Sequence, residues 1–192
     1  MHSSSAAPDD ARKSRRDRET VQDGGHVAVR AVTIDRPREE LYAFWRRFSN
    51  LAQVMENIES IEEINAKRSH WKVKAPAGQT VEWDAVVVEE DPGRLIAWKT
   101  EEGAMVPNHG VVEFKDAPGG RGTEVHAVLV YNPPGGVIGK LVASLFAVEP
   151  GMQAHRDLRR FKMLMETGEI STTQANDAAP RAGAKHPQPT AA

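Results

Sequence analysis

The feature that most constrains the fold is an apolar stripe with helical spacing between residues 137 and 168. Its members recur every three or four residues: Ile138, Leu141, Leu145, Val148, then Met152, His155, Leu158, Phe161 and Met165. This spacing predicts an amphipathic helix with one side facing the core. Asp157 and Arg160 fall on other faces, and Arg160 is expected to be exposed. Pro150 cannot donate its N–H, so the helix kinks or restarts there.

A long helix needs a large apolar surface beneath it, and the preceding residues supply strands. Residues 152–168 alone would form a helix about 25 Å long. Upstream, apolar and polar residues alternate in about seven short segments separated by Pro- and Gly-containing turns. Short turns favour antiparallel neighbours, and a one-faced antiparallel sheet must cover its apolar side. Two short helices are predicted after the first strand, beginning near Pro37 and Ser49. The predicted fold is α+β.

Length and composition are those of one domain with two tails. The domain is expected to span residues 25–170, and the polar segments 1–24 and 171–192 are expected to be disordered. The absence of cysteine excludes disulfides and thiolate chemistry. The sequence has neither an apolar run of about 18 residues nor a signal peptide, so a cytoplasmic protein without stable membrane insertion is expected. The net charge is −2, and the basic residues clustered between Arg12 and Arg18 are offset by neighbouring Asp and Glu residues, which argues against nucleic-acid binding.

Three tryptophans share strand faces with Val, Ala or Ile, which predicts that they point inward. Their rings would either fill the core or line a cavity, and each N–H requires a partner. Ala85 and Ala127 are small residues among larger ones on the same faces and are expected to leave space open. The predicted ligand-binding residues are Trp71, Trp83, Ala85, Trp98, Asn108, Phe114, Ala127, Tyr131, His155 and Leu158.

Few polar residues are expected on the inner side, namely Asn108, Tyr131 and His155. Each would be either a satisfied buried group or a contact that orients a ligand. General acid–base catalysis needs a titrating group inside the pocket. Tyr131 and His155 are the candidates for that role, because the carboxylates of the predicted strands alternate with the apolar residues and are therefore expected to point outward. This scarcity argues against an enzyme.

No metal site and no cofactor are expected. His70, His109 and His126 have outward parity, and the chain lacks both an H-E-x-x-H motif and a Cys/His cluster. The glycine-rich segment 135–139 does not follow the pattern of a dinucleotide-binding loop.

Four stretches of the chain resemble a known superfamily. They are TIDRPREELYAFWRRFSNLAQVMENIESI (33–61), WKVKAPAGQTVEWDAVVVEEDPGRLIAWKT (71–100), GVVEFKDAPGGRGTEVHAVLVYNPPGG (110–136) and DLRRFKMLMETGEI (157–170). Together they are similar to the START-like (Bet v 1-like, SRPBCC) helix-grip proteins, and more narrowly to the polyketide cyclase/dehydrase-like proteins. The resemblance implies a curved sheet wrapped on the long helix, with a cavity for an apolar ligand between them.

The superfamily includes carriers, receptors, cyclases and quinone-binding chaperones, so the resemblance does not select one activity. The expected function is binding of an apolar or aromatic small molecule, such as a lipid, quinone or polyketide. The first alternative is a cyclase or dehydratase acting on a polyketide-like substrate. The second is an adaptor or chaperone that binds a protein partner and whose inner space is filled by side chains.

Overall fold

A computed structural model describes residues 26–75, 78–131 and 150–170. In these ranges the elements are β1 (His26–Ile34), helix α1 (Arg38–Arg46), a 3₁₀-helix (Phe48–Gln53), β2 (Ile58–Glu63), β3 (Arg68–Lys74), β4 (Thr80–Asp91), β5 (Leu95–Thr100), β6 (Asn108–Asp116), a 3₁₀-turn (Pro118–Gly120), β7 (Thr123–Tyr131) and the C-terminal helix (Pro150–Thr167). The predictions for both tails, for the glycine-rich segment and for the helical stripe at 137–149 lie outside the described residues.

The strands form one antiparallel sheet in the order β1-β7-β6-β5-β4-β3-β2. Sequential strands are neighbours from β2 to β7, as the short turns predict. The first strand, β1, lies at one edge of the sheet and pairs with β7. The sheet curls around the C-terminal helix, which packs against β1. The predicted α+β architecture with about seven strands is confirmed, and the two short helices follow β1 as expected.

A β-bulge in β4 changes which residues face helix α1. The register between β4 and β5 shifts between Val87 and Glu89, and the intervening Val88 is exposed. Beyond the bulge, Glu90 pairs with the fully buried Ile96 and accepts a 2.5 Å hydrogen bond from the hydroxyl of Tyr42 on helix α1. Inserting one residue reverses the alternation of a strand, so beyond the bulge the exposed Glu90 is on the side of the strand that contacts helix α1.

The C-terminal helix buries Leu158 and Phe161 against the sheet and helix α1. The ring of Phe161 lies 5.3 Å from the ring of Trp45 at 78° and 5.3 Å from that of Phe44. Edge-to-face contacts of this kind add to the stabilisation from apolar burial. The prediction that Leu158 and Phe161 face the core is confirmed.

Polar side chains of the same helix tie its flanks to neighbouring elements. Arg160 donates from Nε to the backbone oxygen of Val54 (3.0 Å) and from Nη1 to Glu56 (2.9 Å). Glu166 accepts a 2.8 Å hydrogen bond from the backbone N–H of Asp35. The expectation that Arg160 is merely exposed is therefore wrong, because the helix lies close enough to the 3₁₀-helix for its guanidinium to bind the carbonyl groups there.

Candidate functional site

A partly open cavity of about 180 Å³ lies between the inner face of the sheet and the helices. Strands β1, β2, β3, β4, β5 and β7 form one wall, and helix α1, the 3₁₀-helix and the C-terminal helix form the other. The lining is overwhelmingly apolar. An engineered apolar cavity of about 150 Å³ accepts benzene, so this cavity is large enough for an aromatic ring.

Four tryptophans stand in the cavity wall. Trp71 and Trp83 are direct cross-strand neighbours on β3 and β4, Trp98 extends the wall on β5, and Trp45 faces them from helix α1. The inward parity predicted for the three strand tryptophans agrees with these positions. Aromatic walls offer large contact areas to a flat apolar ligand.

The structure brings five of the predicted ligand-binding residues together at this cavity: Trp71, Trp83, Trp98, Ala127 and Leu158. Ala127 on β7 pairs with Val112 on β6 and with Arg30 on the edge strand β1, and its small side chain leaves space at the cavity. That these residues bind a ligand stays a prediction.

Ala85 and Phe114 are inward but belong to the packed core rather than to the cavity wall. Phe114 is 1% exposed and packs edge-on against Tyr42 at 5.9 Å. Ala85 is 3% exposed. The interpretation that Ala85 leaves open volume is wrong, because neighbouring core side chains occupy that space. The open volume lies at Ala127 instead.

Asn108 and Tyr131 are buried cross-strand neighbours away from the cavity wall. The amide of Asn108 donates to the backbone oxygen of Val106 at 3.0 Å, so it serves the turn before β6. Burial raises the pKa of the Tyr131 phenol, which keeps it protonated. Neither side chain is positioned at the wall to orient a ligand or exchange a proton with one.

His155 is exposed, so the prediction that it belongs to the buried stripe is wrong. The face that packs inward runs through Ala154, Leu158 and Phe161, at steps of four and three residues. His155 follows Ala154 by one residue and is therefore rotated by about 100° from that face. The candidate catalytic pair of Tyr131 and His155 is not assembled at the cavity.

Two polar residues that the sequence reasoning missed, Asn57 and Asp157, do line the cavity. Asp157 precedes Leu158 by one residue and follows Ala154 by three, so it lies on the flank of the inward face. Choosing Ala154 rather than His155 as the centre of the helical stripe would have indicated it. Asn57 immediately precedes β2. It belongs to no periodic pattern of apolar residues, so the sequence gives no signal for its position at the cavity.

Gly110 on β6 was also missed, and it determines where the ring of Trp98 lies. A Cβ atom at Gly110 would collide with the Trp98 ring and would lie 2.7 Å from the backbone oxygen of Val128. A glycine within a strand often marks such a close approach. Here it lets the indole of Trp98 pack directly against the backbone of β6.

Replacing Gly110 with alanine is expected to destabilise the protein by about 1–3 kcal/mol, the usual cost of overpacking a core. The displaced Trp98 ring should also change the tryptophan emission spectrum. Urea unfolding with fluorescence detection measures both effects. In a Trp98→Val background the cost of Gly110→Ala should be smaller, because the ring that collides is gone. Equal costs in the two backgrounds would contradict this contact.

The outer face of β3 and β4 carries a charged ladder centred on His70. Nδ1 of His70 lies 2.7 Å from Oδ1 of Asp84, and Arg68 binds the other carboxylate oxygen at 2.7 Å. The hydrogen bond to Asp84 raises the pKa of His70, although burial opposes it. In the described ranges no three His, Asp or Glu side chains are grouped so that they could hold a metal ion.

Stability should depend on the protonation of His70. Its pKa is raised above the ordinary value of 6.5, so its contribution is fully present below about pH 6.5 and is lost as the pH rises through the folded-state pKa. Thermal unfolding between pH 5.5 and 8.5 should show a decrease in Tm that His70→Gln reduces. His126→Gln is the comparison variant for an outer-face histidine. A pH profile unchanged by His70→Gln would contradict the interaction.

The curved antiparallel sheet, the helix packed across it and the apolar cavity between them define a protein of the helix-grip class. The chain belongs to the family of polyketide cyclase / dehydrase and lipid transport proteins, whose sequence profile matches residues 34–156. No helix in the described ranges is both long and apolar enough to span a membrane.

Individual proteins are similar to this chain over most of its length. An uncharacterised 17.2 kDa protein of Streptomyces lincolnensis is 29% identical over 136 residues, covering 71% of this chain and 87% of the relative. A crystal structure from Deinococcus radiodurans is 41% identical with a TM-score of 0.63, and the match covers 75% of this chain and 99% of that one. The Zhui aromatase/cyclase from a Streptomyces species has the same fold at 12% identity, with a TM-score of 0.55 and coverage of 77% and 99%.

Proposed function

We propose that this protein binds an apolar or aromatic small molecule, of the lipid, quinone or polyketide type, in the cavity between the sheet and the helices. The observation that carries the proposal is the partly open apolar cavity with four tryptophans in its wall. A pocket with an apolar lining and a few polar groups is the usual form of a small-molecule site. Asn57 and Asp157 are the residues whose polar side chains would contact such a ligand.

The family supports this proposal without selecting the ligand, because its description covers both cyclases and lipid transport. The experiment that tests it is native mass spectrometry of the purified protein, followed by titration with 1-anilinonaphthalene-8-sulfonate and a quinone. Saturable binding of one molecule per chain is expected. If no apolar probe binds saturably, the binding role is overturned and the alternative of a protein-binding adaptor takes its place.

A polyketide cyclase or dehydratase is the second candidate, and Asp157, a titratable residue that lines the cavity, favours it. A titrating group inside an apolar pocket is what general acid–base catalysis requires. Tyr131 and His155 do not supply one, because neither lines the cavity. Incubation with a synthetic poly-β-ketone thioester would reveal ring closure by mass spectrometry. Loss of turnover in Asp157→Asn with unchanged probe binding would support the enzyme, and no turnover by the native chain would exclude it for that substrate.

A further inference from the structure

The lining of the cavity is buried at one end and partly exposed at the other. Among the described residues, the buried end includes Trp45, Phe48 and Leu158. The partly exposed lining residues lie at the start of β2, near the end of β7 and near the start of the C-terminal helix, and include Asn57, Ile58, Leu129, Ala154 and Asp157. Strands β2 to β7 are sequential antiparallel neighbours, so the start of β2 and the end of β7 lie on the same side of the sheet. A ligand can therefore enter on this side.

Arg160 joins two of the elements that flank the partly exposed end, namely the C-terminal helix and the connection of residues 54–57 between the 3₁₀-helix and β2. Its Nε donates to the backbone oxygen of Val54 at 3.0 Å, and its Nη1 donates to Glu56 at 2.9 Å. Met55 and Asn57, which line the cavity, stand on either side of Glu56 in the chain. Arg160 itself is not part of the lining. It therefore holds wall residues in place without contacting the space between them.

The bond to Val54 is the stronger of the two contacts. Val54 is 1% exposed, so its carbonyl group lies in a sheltered position. A hydrogen bond from a charged donor is stronger than one between neutral groups. The side chain of Glu56 is exposed, and an exposed ion pair contributes little. Arg160 therefore holds the connection mainly through the backbone of Val54.

The other end of the connection is attached to the sheet. The backbone oxygen of Asn57 accepts a 2.7 Å hydrogen bond from the N–H of Lys74, the last residue of β3. The connection thus lies between a bond to the sheet and a bond to the C-terminal helix. Breaking the bonds of Arg160 would leave Met55 and Glu56 free to move away from the helix while Asn57 stays attached to β3.

We propose that Arg160 controls ligand exchange, because its hydrogen bonds hold the 54–57 connection against the C-terminal helix and must break before the cavity can widen. This inference rests on the binding role proposed above and concerns the rate of binding rather than the identity of the ligand. Arg160 favours the narrow state with or without a ligand. Its loss should therefore speed entry and release alike and leave the affinity nearly unchanged.

The test is stopped-flow mixing of the full chain with N-phenyl-1-naphthylamine, an uncharged fluorescent probe that accepts energy from tryptophan. It gives the association and dissociation rate constants and, from their ratio, the Kd. The variant is Arg160→Ala. Arg159→Ala, an exposed neighbour, controls for the lost charge. Glu166→Ala controls for a general loosening of the helix, because Glu166 binds the backbone N–H of Asp35 near the other end of the helix.

Arg160→Ala should raise both rate constants by about 5- to 10-fold, the worth of one partly exposed hydrogen bond from a charged donor. The Kd should change by less than about 3-fold, because the lost bonds do not involve the ligand. Both control variants should keep rate constants within about 2-fold of the native values. If Arg160→Ala does not fold, Arg160→Lys replaces it, because one ammonium group cannot reproduce the fork of a guanidinium. It should raise both rate constants as well.

A weaker Kd with an unchanged association rate constant would overturn the inference, because Arg160 would then shape the bound state instead of controlling exchange. Equal acceleration in Glu166→Ala would also overturn it, since any loosening of the helix would then suffice. In both cases the binding role stands. If the probe does not bind the native chain saturably, the binding role itself fails, and the inference fails with it.

Discussion

Replacing Phe161 with alanine is expected to lower the free energy of unfolding by about 3–5 kcal/mol, the usual cost of removing a phenyl ring from a core. The ring is 0% exposed and contacts both Trp45 and Phe44 of helix α1. Its loss would leave a void between the C-terminal helix and helix α1, because rigid elements on both sides collapse only partly. Urea denaturation followed by circular dichroism measures the change.

The control for this experiment is Arg159→Ala in the same helix. Arg159 is exposed, so its replacement should change the stability by less than about 0.5 kcal/mol. The denaturant m-values of both variants should match that of the native protein if only stability changes. A loss below about 1.5 kcal/mol for Phe161→Ala would mean that the helix does not pack on the sheet with this face.

Introducing phenylalanine at Ala127 is expected to weaken binding of an apolar probe by about 10-fold or more, which is about 1.4 kcal/mol or more of binding free energy. Ala127 lines the cavity from β7, and the cavity holds about 180 Å³. A benzyl side chain would occupy much of the space that a bound ring needs. Competition against the probe by equilibrium dialysis measures the change.

The matched control is Ala31→Phe, which adds the same group to the outer face of β1. Ala31 is exposed and pairs with His126, so a ring there points away from the cavity. The circular dichroism spectra of both variants should remain those of the native fold. If Ala127→Phe binds the probe as tightly as the native chain does, the ligand site is somewhere else on the molecule.

The alternation of apolar and polar residues along the strands was sufficient to predict the antiparallel sheet and the inward direction of Trp71, Trp83 and Trp98. In a strand, successive side chains point to opposite faces, so one buried residue determines the direction of the others. The burial of Leu158 and Phe161 followed in the same way from helical spacing. The family resemblance supplied the helix-grip arrangement, which neither periodicity specifies.

The packing of the helices over the sheet determines which of the inward-facing residues surround open space. Parity gives Ala85 and Ala127 the same inward direction, but other side chains enclose Ala85 while the cavity opens at Ala127. Asn108 finds its acceptor in the neighbouring turn. The helical stripe placed Leu158 and Phe161 correctly but put His155 on the inward face in place of its neighbour Ala154. Local periodicity determines which side of an element is buried, whereas the shape of the cavity and the partners of its polar groups arise from contacts between elements far apart in the chain.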